Sequence, residues 1–331
     1  MNNVLGCFFP TTVVLIDDNR LFAESIKSVI GINNLVFKIF DDPLKAVDYI
    51  NEVSSTNRLD SADFIIDGEE STSDWKSILL NINYLHRQIY DDSRFSIISI
   101  IVADYCMPGT TGIELCDKIN DKNIQRILLT GIADEKIAIS AFNEGAICKF
   151  VKKGEPQFEE KVRDSILKSV YNYFHIYSNG VSKYLSMSER NHLNDPVFAN
   201  FFFGKCCQNE MQEYYMLDTF GSYLLMDNKG VTSALTVLTE REIDRLVEVG
   251  AESGEISDDV LKKLQSRKYM LSSHSRTGML PPISEWHKYL REAERIDGYQ
   301  TYYVAMAGSE ILDLDFSEIK SFDSFRKKHQ L

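Results

Sequence analysis

The feature that most constrains this chain is a set of short, continuously apolar runs that each end in a polar group. Residues 97–104, IISIIVAD, close on Asp104 and pass into the turn DYCMPGTTG. Residues 13–16, VVLI, end in Asp17-Asp18; residues 127–129, ILL, end in Thr130; Phe150-Val151 is followed by Lys152-Lys153. Such runs read as buried strands, and open α/β sheets place ligands outside the carboxyl ends of their strands. Parallel strands would bring carboxylates, one hydroxyl and one ammonium to a single edge.

Those groups suit one chemistry. Clustered carboxylates repel one another and favour a divalent cation. Mg²⁺ takes oxygen ligands and keeps several waters, so a few protein oxygens suffice. A carboxylate can attack phosphorus to give an aspartyl phosphate, and phosphoryl transfer is mostly positioning plus charge neutralisation. In this reading Asp17 and Asp18 hold the metal, Asp104 attacks, and Thr130 and Lys153 meet the phosphoryl oxygens.

Each residue also has a plainer reading. Asp17-Asp18 could cap a helix, Asp104 could serve the turn before Pro108, Thr130 and Phe150 could be core, and Lys152-Lys153 a solvated pair. Their coincidence at four strand ends favours a site.

The segments VVLIDDN, DYCMPGTTG, ILLTG and KFVKK stand in the order found in receiver domains, and residues 11–154 resemble the receiver of a bacterial two-component response regulator. The resemblance implies a doubly wound, five-stranded parallel, flavodoxin-like fold. It implies Asp104 as phosphoacceptor, with Asp17, Asp18, Asp104 and the backbone carbonyl of Cys106 around Mg²⁺. Thr130 and Lys153 would contact the phosphoryl group, and Thr130 and Phe150 would form the switch. Spacing from Phe150 favours Lys153 over Lys152. Gly154 stands where receivers usually have Pro, which puts in doubt the cis peptide that often follows the Lys. The implied donor is a sensor histidine kinase or phosphotransfer protein, and receivers of this kind commonly form phosphorylation-favoured homodimers. The chain is also similar to a subgroup with poorly assigned output regions, to which the quorum-sensing response-regulator type of Legionella is related.

A chain of 331 residues allows about two domains. We expect a receiver over residues 1–155 with a helical insertion at 53–95, a long helix and linker over 156–190, and an output domain over 191–331. No apolar run approaches the roughly 20 residues of a membrane span, and the first residues lack the basic region of a signal peptide. The six Cys form no C-x-x-C pair and no zinc spacing with His. A cytoplasmic protein with reduced thiols is expected. The net charge is −13 and both halves are acidic, so nucleic acid is not indicated.

Within the insertion, Trp75, Ile78, Leu79, Ile82, Leu85 and Ile89 recur at helical spacing and predict an amphipathic helix. Asn19 and Asp42 are expected helix caps, with Phe22, Ile26, Val29 and Ile30 facing inward on the first helix. Val162, Ile166, Val170 and Phe174 mark the buried face of a helix over 157–177, which Ser178-Asn179-Gly180 should stop. Beyond it, residues 213–217, 222–226 and 232–238 predict a β-meander with turns at 218–221 and 227–230. Thr239-Glu240-Arg241-Glu242 reads as a capping box. The output region is therefore α+β with an antiparallel sheet. It carries no Walker A loop, zincin motif or nucleophile elbow. His274, Trp286 and His287 could line a pocket, and Tyr214-Tyr215 and Tyr302-Tyr303 could be ligand contacts or core.

The expected function is a non-enzymatic signalling regulator acting through protein contacts or dimerisation. The alternatives are a DNA-binding transcription regulator, and a ligand-binding or enzymatic effector in the C-terminal region.

Overall fold

The computed structural model describes residues 3–59, 65–67, 78–80, 87–131, 135–187, 191–218, 220–274 and 280–330. The chain forms two compact units. One comprises residues 9–60 and 92–177; the other comprises residues 1–8, 61–91 and 178–330. The opening strand β1 (Cys7–Phe8) thus belongs to the second unit, whereas the sequence reading placed residues 1–155 together. Its partner lies more than 200 residues away, at Tyr214 and Tyr215, so no local pattern announces the pairing.

In the first unit, β2 (Thr12–Ile16) is followed by α1 (Arg20–Ile30), β3 (Val36–Phe40) and α2 (Pro43–Thr56). Asn19 caps α1 through the Phe22 amide, and Asp42 caps α2 ahead of Pro43. Ala23, Ile26 and Ile30 form the buried stripe of α1. Phe22 and Val29 lie on its flank: Phe22 is half-buried and Val29 is 58% exposed, against expectation.

Within the insertion, β4 (Ile65–Asp67) pairs antiparallel with β5 (Ile78–Leu80). The expected amphipathic helix is therefore absent at Ile78 and Leu79, and Trp75, Ile82 and Leu85 lie outside the described residues. A three-residue apolar run fits either period, and here its backbone hydrogen bonds go across the hairpin.

The first sheet continues with β6 (Ile98–Asp104). The small hairpin β7 (Cys106–Met107) and β8 (Thr110–Thr111), helix α3 (Gly112–Asp117), β9 (Gln125–Thr130), α4 (Glu135–Asn143) and β10 (Lys149–Lys152) follow. All pairings within the main sheet are parallel, in the order β10-β9-β6-β2-β3. Every residue of β2 and β6 is buried, which explains why these strands read as unbroken apolar runs. The order reverses at β2, so β2 and β6 flank a topological switch point.

Helix α5 (Phe158–Met187) runs on through Gly180, beyond the expected stop. A glycine inside a helix costs only about 1 kcal/mol, too little to end one of this length. Val162, Ile166, Val170 and Phe174 are buried as expected, joined by Tyr173 and Tyr177.

The second unit adds α6 (Pro196–Gln208), β11 (Met211–Met216), β12 (Tyr223–Asp227), β13 (Thr232–Thr239), α7 (Glu240–Ser253) and α8 (Asp258–Gln265). Then come β14 (Tyr269–Leu271), α9 (Trp286–Tyr289), β15 (Leu290–Glu292), β16 (Glu294–Asp297), β17 (Thr301–Gly308) and α10 (Phe322–His329). An antiparallel sheet in the order β1-β11-β12-β13-β17-β16 contains the expected meander. Successive residues of a strand point to opposite faces, yet Tyr302 and Tyr303 are both buried, as are Tyr214 and Tyr215. Both faces are therefore covered. Phe198 and Phe202 of α6 meet Tyr302, Tyr214 and Tyr223 edge-on, while Ile243, Leu264 and Trp286 pack with Tyr303.

Candidate functional site

Strand register assembles the site. Ile16 pairs with Ala103, so Asp17 and Asp104 are the next residues out of neighbouring strands. Asp104 pairs with Leu129, and Thr130 with Lys152, which brings Thr130 and Lys153 to the same edge. The Lys153 amide donates to the Thr130 carbonyl at 2.8 Å.

Carboxylate oxygens of Asp17, Asp18 and Asp104 lie within 4.8 Å of one another. Asp17 and Asp104 are buried and Asp18 is exposed, so the cluster opens to solvent on one side. The Lys153 ammonium sits 2.9 Å from both Asp17 and Asp104. Lys152 turns away to Glu135 at 3.1 Å. Asp17 is not a helix cap; it accepts from the Asn19 amide, and Asn19 caps α1.

Burial pushes the Asp104 carboxyl above its usual range, the Lys153 ammonium opposes this, and Asp17 adds repulsion. Around the cluster, three carboxylates face one ammonium. Hard oxygen donors with an excess of negative charge fit a divalent cation such as Mg²⁺.

Thr130 is fully buried, and its Oγ1 has no hydrogen-bond partner among the described residues. A buried hydroxyl without a partner is costly, and this one lies at the strand edge that carries the carboxylates. Phe150 is half-buried against Leu128, Ala138 and Ile147. Cys106 is exposed in β7. Gly112, which opens α3, is dictated by space: a Cβ there would stand 2.4 Å from the Asp104 carbonyl oxygen and 2.6 Å from Leu128. Thr111 and Glu114 close a capping box around it. One neighbour was not singled out from sequence. The Phe22 ring lies under the Lys153 ammonium, 4.4 Å from ring centroid to nitrogen.

The solved structure of the Legionella pneumophila response regulator LqsR is similar to this chain at a TM-score of 0.81 and 31% sequence identity. The match covers 98% of this chain and 96% of that one. The chain belongs to the response-regulator family of LqsR. The regulator also matches a receiver domain from Clostridium thermocellum (15% identity, 49% of this chain, 94% of that one, TM-score 0.33). A third match is the receiver of a LuxO-type repressor from Vibrio parahaemolyticus (13% identity, 50% of this chain, 93% of that one, TM-score 0.33). No protein-family model matches the regulator, and no curated protein does.

In the second unit, a cleft of about 670 Å³ is lined by residues including Arg267, Lys268, Tyr269, Glu292, Arg295 and Tyr303. Arg267 is paired with Asp244 and Arg295 with Asp297, so two of its cations are already neutralised. His274, Trp286 and His287, which could have lined a pocket, do not line this one. Trp286 is core, its indole N–H donating to the Pro281 carbonyl at 3.0 Å. His287 is exposed beside the Ser284 carbonyl, and burial holds the His274 imidazole down at about 4. Asp227 serves a turn, accepting from the Lys229 and Val231 amides at 2.8 Å each. Among the described residues, no helix is long and apolar enough to cross a membrane.

Proposed function

We propose that the regulator accepts a phosphoryl group on Asp104 from a histidine kinase or phosphotransfer protein, and that the modified first unit switches the second through protein contacts or dimerisation. The observation that carries this reading is the Lys153 ammonium bridging Asp17 and Asp104 beside Asp18, at the switch point of the parallel sheet.

A carboxylate oxygen of Asp104 attacks the phosphorus of a phosphohistidine; the new O–P bond forms as the P–N bond breaks, and the leaving imidazole takes up a proton. Lys153 then meets a phosphoryl oxygen, and the Thr130 hydroxyl gains the acceptor it lacks. Asp17, Asp18, Asp104 and the Cys106 carbonyl would hold Mg²⁺, which when bound neutralises charge on the phosphoryl oxygens. Movement of Thr130 leaves room for Phe150 to turn inward, a local charge event biasing a two-state element.

Helix α4, directly after this edge, exposes Ile137, Ile139 and Phe142 at 47%, 43% and 49%. Ile139 and Phe142, three residues apart, share one side of that helix, and this exposed apolar pair supports an isologous homodimer favoured by phosphorylation. The reading is of a cytoplasmic regulator, not an enzyme beyond promoting its own phosphorylation, and its acidic balance sets DNA binding second. The sequence resemblance to the quorum-sensing response-regulator type of Legionella supports a place in quorum sensing.

The deciding experiment is intact-mass analysis after incubation with a phosphorylated kinase domain or acetyl phosphate in Mg²⁺. Wild type should gain one hydroxylamine-labile phosphate and Asp104→Asn none. Equal labelling of both would overturn the assignment. Ultracentrifugation with beryllofluoride should show a dimer that Phe142→Glu weakens.

A further inference from the structure

Lys153 is held by more than carboxylates. On one side its ammonium bridges Asp17 and Asp104, 2.9 Å from each. On another it lies over the face of Phe22, 4.4 Å from the centroid. The negative face of an aromatic ring attracts a cation. Phe22 is in the first turn of α1, immediately after the loop that presents Asp17 and Asp18. Its ring is stacked on Phe158, with centroids 6.2 Å apart and planes at 27°. Phe158 opens α5 and is buried. A second tie joins the same helices at the far end of α1, where Arg163 of α5 donates to the Ile30 carbonyl at 2.7 Å. Helix α1 is thus fastened to the start of α5 at both ends, and one fastening touches the ammonium of the site.

We propose that Phe22 is a positioning residue: its ring holds the Lys153 ammonium over the carboxylate cluster, and its stack on Phe158 passes displacement of that ammonium to the first turn of α5. This rests on the reading above, in which Lys153 meets a phosphoryl group on Asp104.

The physical need is clear. A lysine side chain has a long flexible stem and loses much rotamer freedom when fixed. The side chain of Lys153 is 28% exposed, so solvent is the competing destination. A charge placed before the reacting group arrives costs no reorganisation at that moment. The ring supplies that placement without a hydrogen bond, leaving all three ammonium N–H groups for oxygens. When a phosphoryl group is added, the ammonium shifts from its two carboxylates toward the new oxygens. The ring follows the charge it attracts, and the Phe22–Phe158 stack follows the ring. This path reaches α5 without passing through Thr130 or Phe150.

The test replaces Phe22 in the full-length chain with phenylalanines carrying one, two and three ring fluorines. These keep the ring's shape while progressively removing the negative face. Beryllofluoride affinity in saturating Mg²⁺, read by calorimetry, should fall stepwise to about tenfold weaker, the range of a partly desolvated cation–π contact. Phe22→Leu should weaken it at least as much, and Phe22→Tyr should restore it. A direct readout uses lysines labelled with carbon-13 at Cε, which leaves the three ammonium N–H groups in place, the Lys153 signal being identified by its loss in Lys153→Arg. That signal should be shifted upfield by the ring current in wild type and return to the ordinary position in Phe22→Leu. Hydrogen exchange in the first turn of α5 should respond to beryllofluoride in wild type and not in Phe22→Leu.

An unshifted Lys153 Cε–H signal in wild type, or equal affinity across the fluorinated series, overturns the positioning role; an exchange response unchanged in Phe22→Leu overturns the relay. If wild type binds no beryllofluoride while the Lys153 Cε–H signal is shifted, the phosphoacceptor reading and the relay fall together and the hold of Phe22 on Lys153 stands.

Discussion

The two units spend the polar groups at their strand ends differently. In the antiparallel unit most of those groups are used up by the fold, Asn228 Oδ1 in the turn after β12 being an exception among the described residues. Asp227 closes its turn on two amides, Asp218 accepts from the Ser222 amide, and Thr239 caps α7 in a reciprocal capping box. Asp195, fully buried, accepts from the Val197 and Tyr299 amides. In the parallel unit the account does not close. Asp17 and Asp104 share one ammonium with Asp18 close beside them, and Thr130 Oγ1 is buried without a partner among the described residues. Polar groups left over after the fold has been satisfied are where chemistry can occur, and only the parallel unit has such a cluster among the described residues.

The largest effect we expect comes from breaking the antiparallel unit at its edge. Deleting residues 1–8 removes β1, with Val4, Leu5 and Cys7 all buried. It also removes the Gly6 carbonyl that accepts from Met216 and the Leu5 carbonyl that accepts from Tyr223. Loss of two or three buried side chains alone corresponds to about 5 kcal/mol. Hydrogen exchange should show β11 and β12 losing protection, while β2, β6 and β9 keep theirs. Equal loss in both sheets would mean that the units are not independent in stability.

The next effect concerns the leftover charge. Asp104 has its pKa raised in the folded protein, chiefly by burial, so its ionised form opposes folding. A raised carboxyl pKa contributes stability that is present at low pH and lost as pH rises through the folded value. Without metal, Asp104→Asn should therefore melt above wild type at pH 7, and the gap should close as pH falls through the raised Asp104 value. Saturating Mg²⁺ should narrow the gap at pH 7 by stabilising wild type. A variant less stable than wild type at pH 7 would show that Lys153 satisfies Asp104 fully, and the contrast between the units would weaken.

How much of this was legible in sequence follows the same division. Strands β2, β6 and β9 are buried on both faces, so they appear as unbroken apolar runs, and the residue following each run lies at the site edge by construction. That is why the sequence alone places Asp17, Asp104 and Thr130 together. Lys153 followed from its spacing to Phe150. Phe22 was hidden because an aromatic on a helix flank reads as core, and nothing local says that a lysine 131 residues later will lie over it. The pairing of Cys7-Phe8 with Tyr214-Tyr215 was hidden by the same separation in sequence. The hairpin at Ile65–Asp67 and Ile78–Leu80 was misread because three apolar residues do not distinguish the two periods. Gly180 was given too much weight as a helix stop, although Gly31, in a left-handed C-cap, does end α1. Turns and caps in the second unit were legible, and for that reason uninformative about function: their polar residues are already employed.

A smaller effect checks that employment. Thr239 accepts from the Glu242 amide, and Glu242 reaches back to the Thr239 amide at 2.8 Å. Thr239→Ala should cost about 1 kcal/mol, and the loss should appear as faster exchange in the first turn of α7. Beryllofluoride affinity in the first unit should not change. A change there would show that a cap of the second unit communicates with the carboxylate cluster.

The smallest effect comes from comparing a cation–carboxylate pair in each of the two settings. Arg295 and Asp297 form an ion pair at 2.9 Å, the same separation as Lys153 to Asp104, with both side chains more than half exposed. Water screens such a pair, and ordering two mobile side chains offsets most of the attraction. Asp297→Asn should leave the melting temperature within experimental error at low and at high salt. Lys153→Ala, at the same pair distance, removes the only ammonium that the described residues place in a cluster whose other members are carboxylates, two of them buried. It should raise the Asp104 pKa further and make metal-free stability strongly salt-dependent. Equal insensitivity of the two variants would mean that solvent reaches the cluster as freely as it reaches β16, and the carboxylates at the switch point would then be screened too well to draw in a metal.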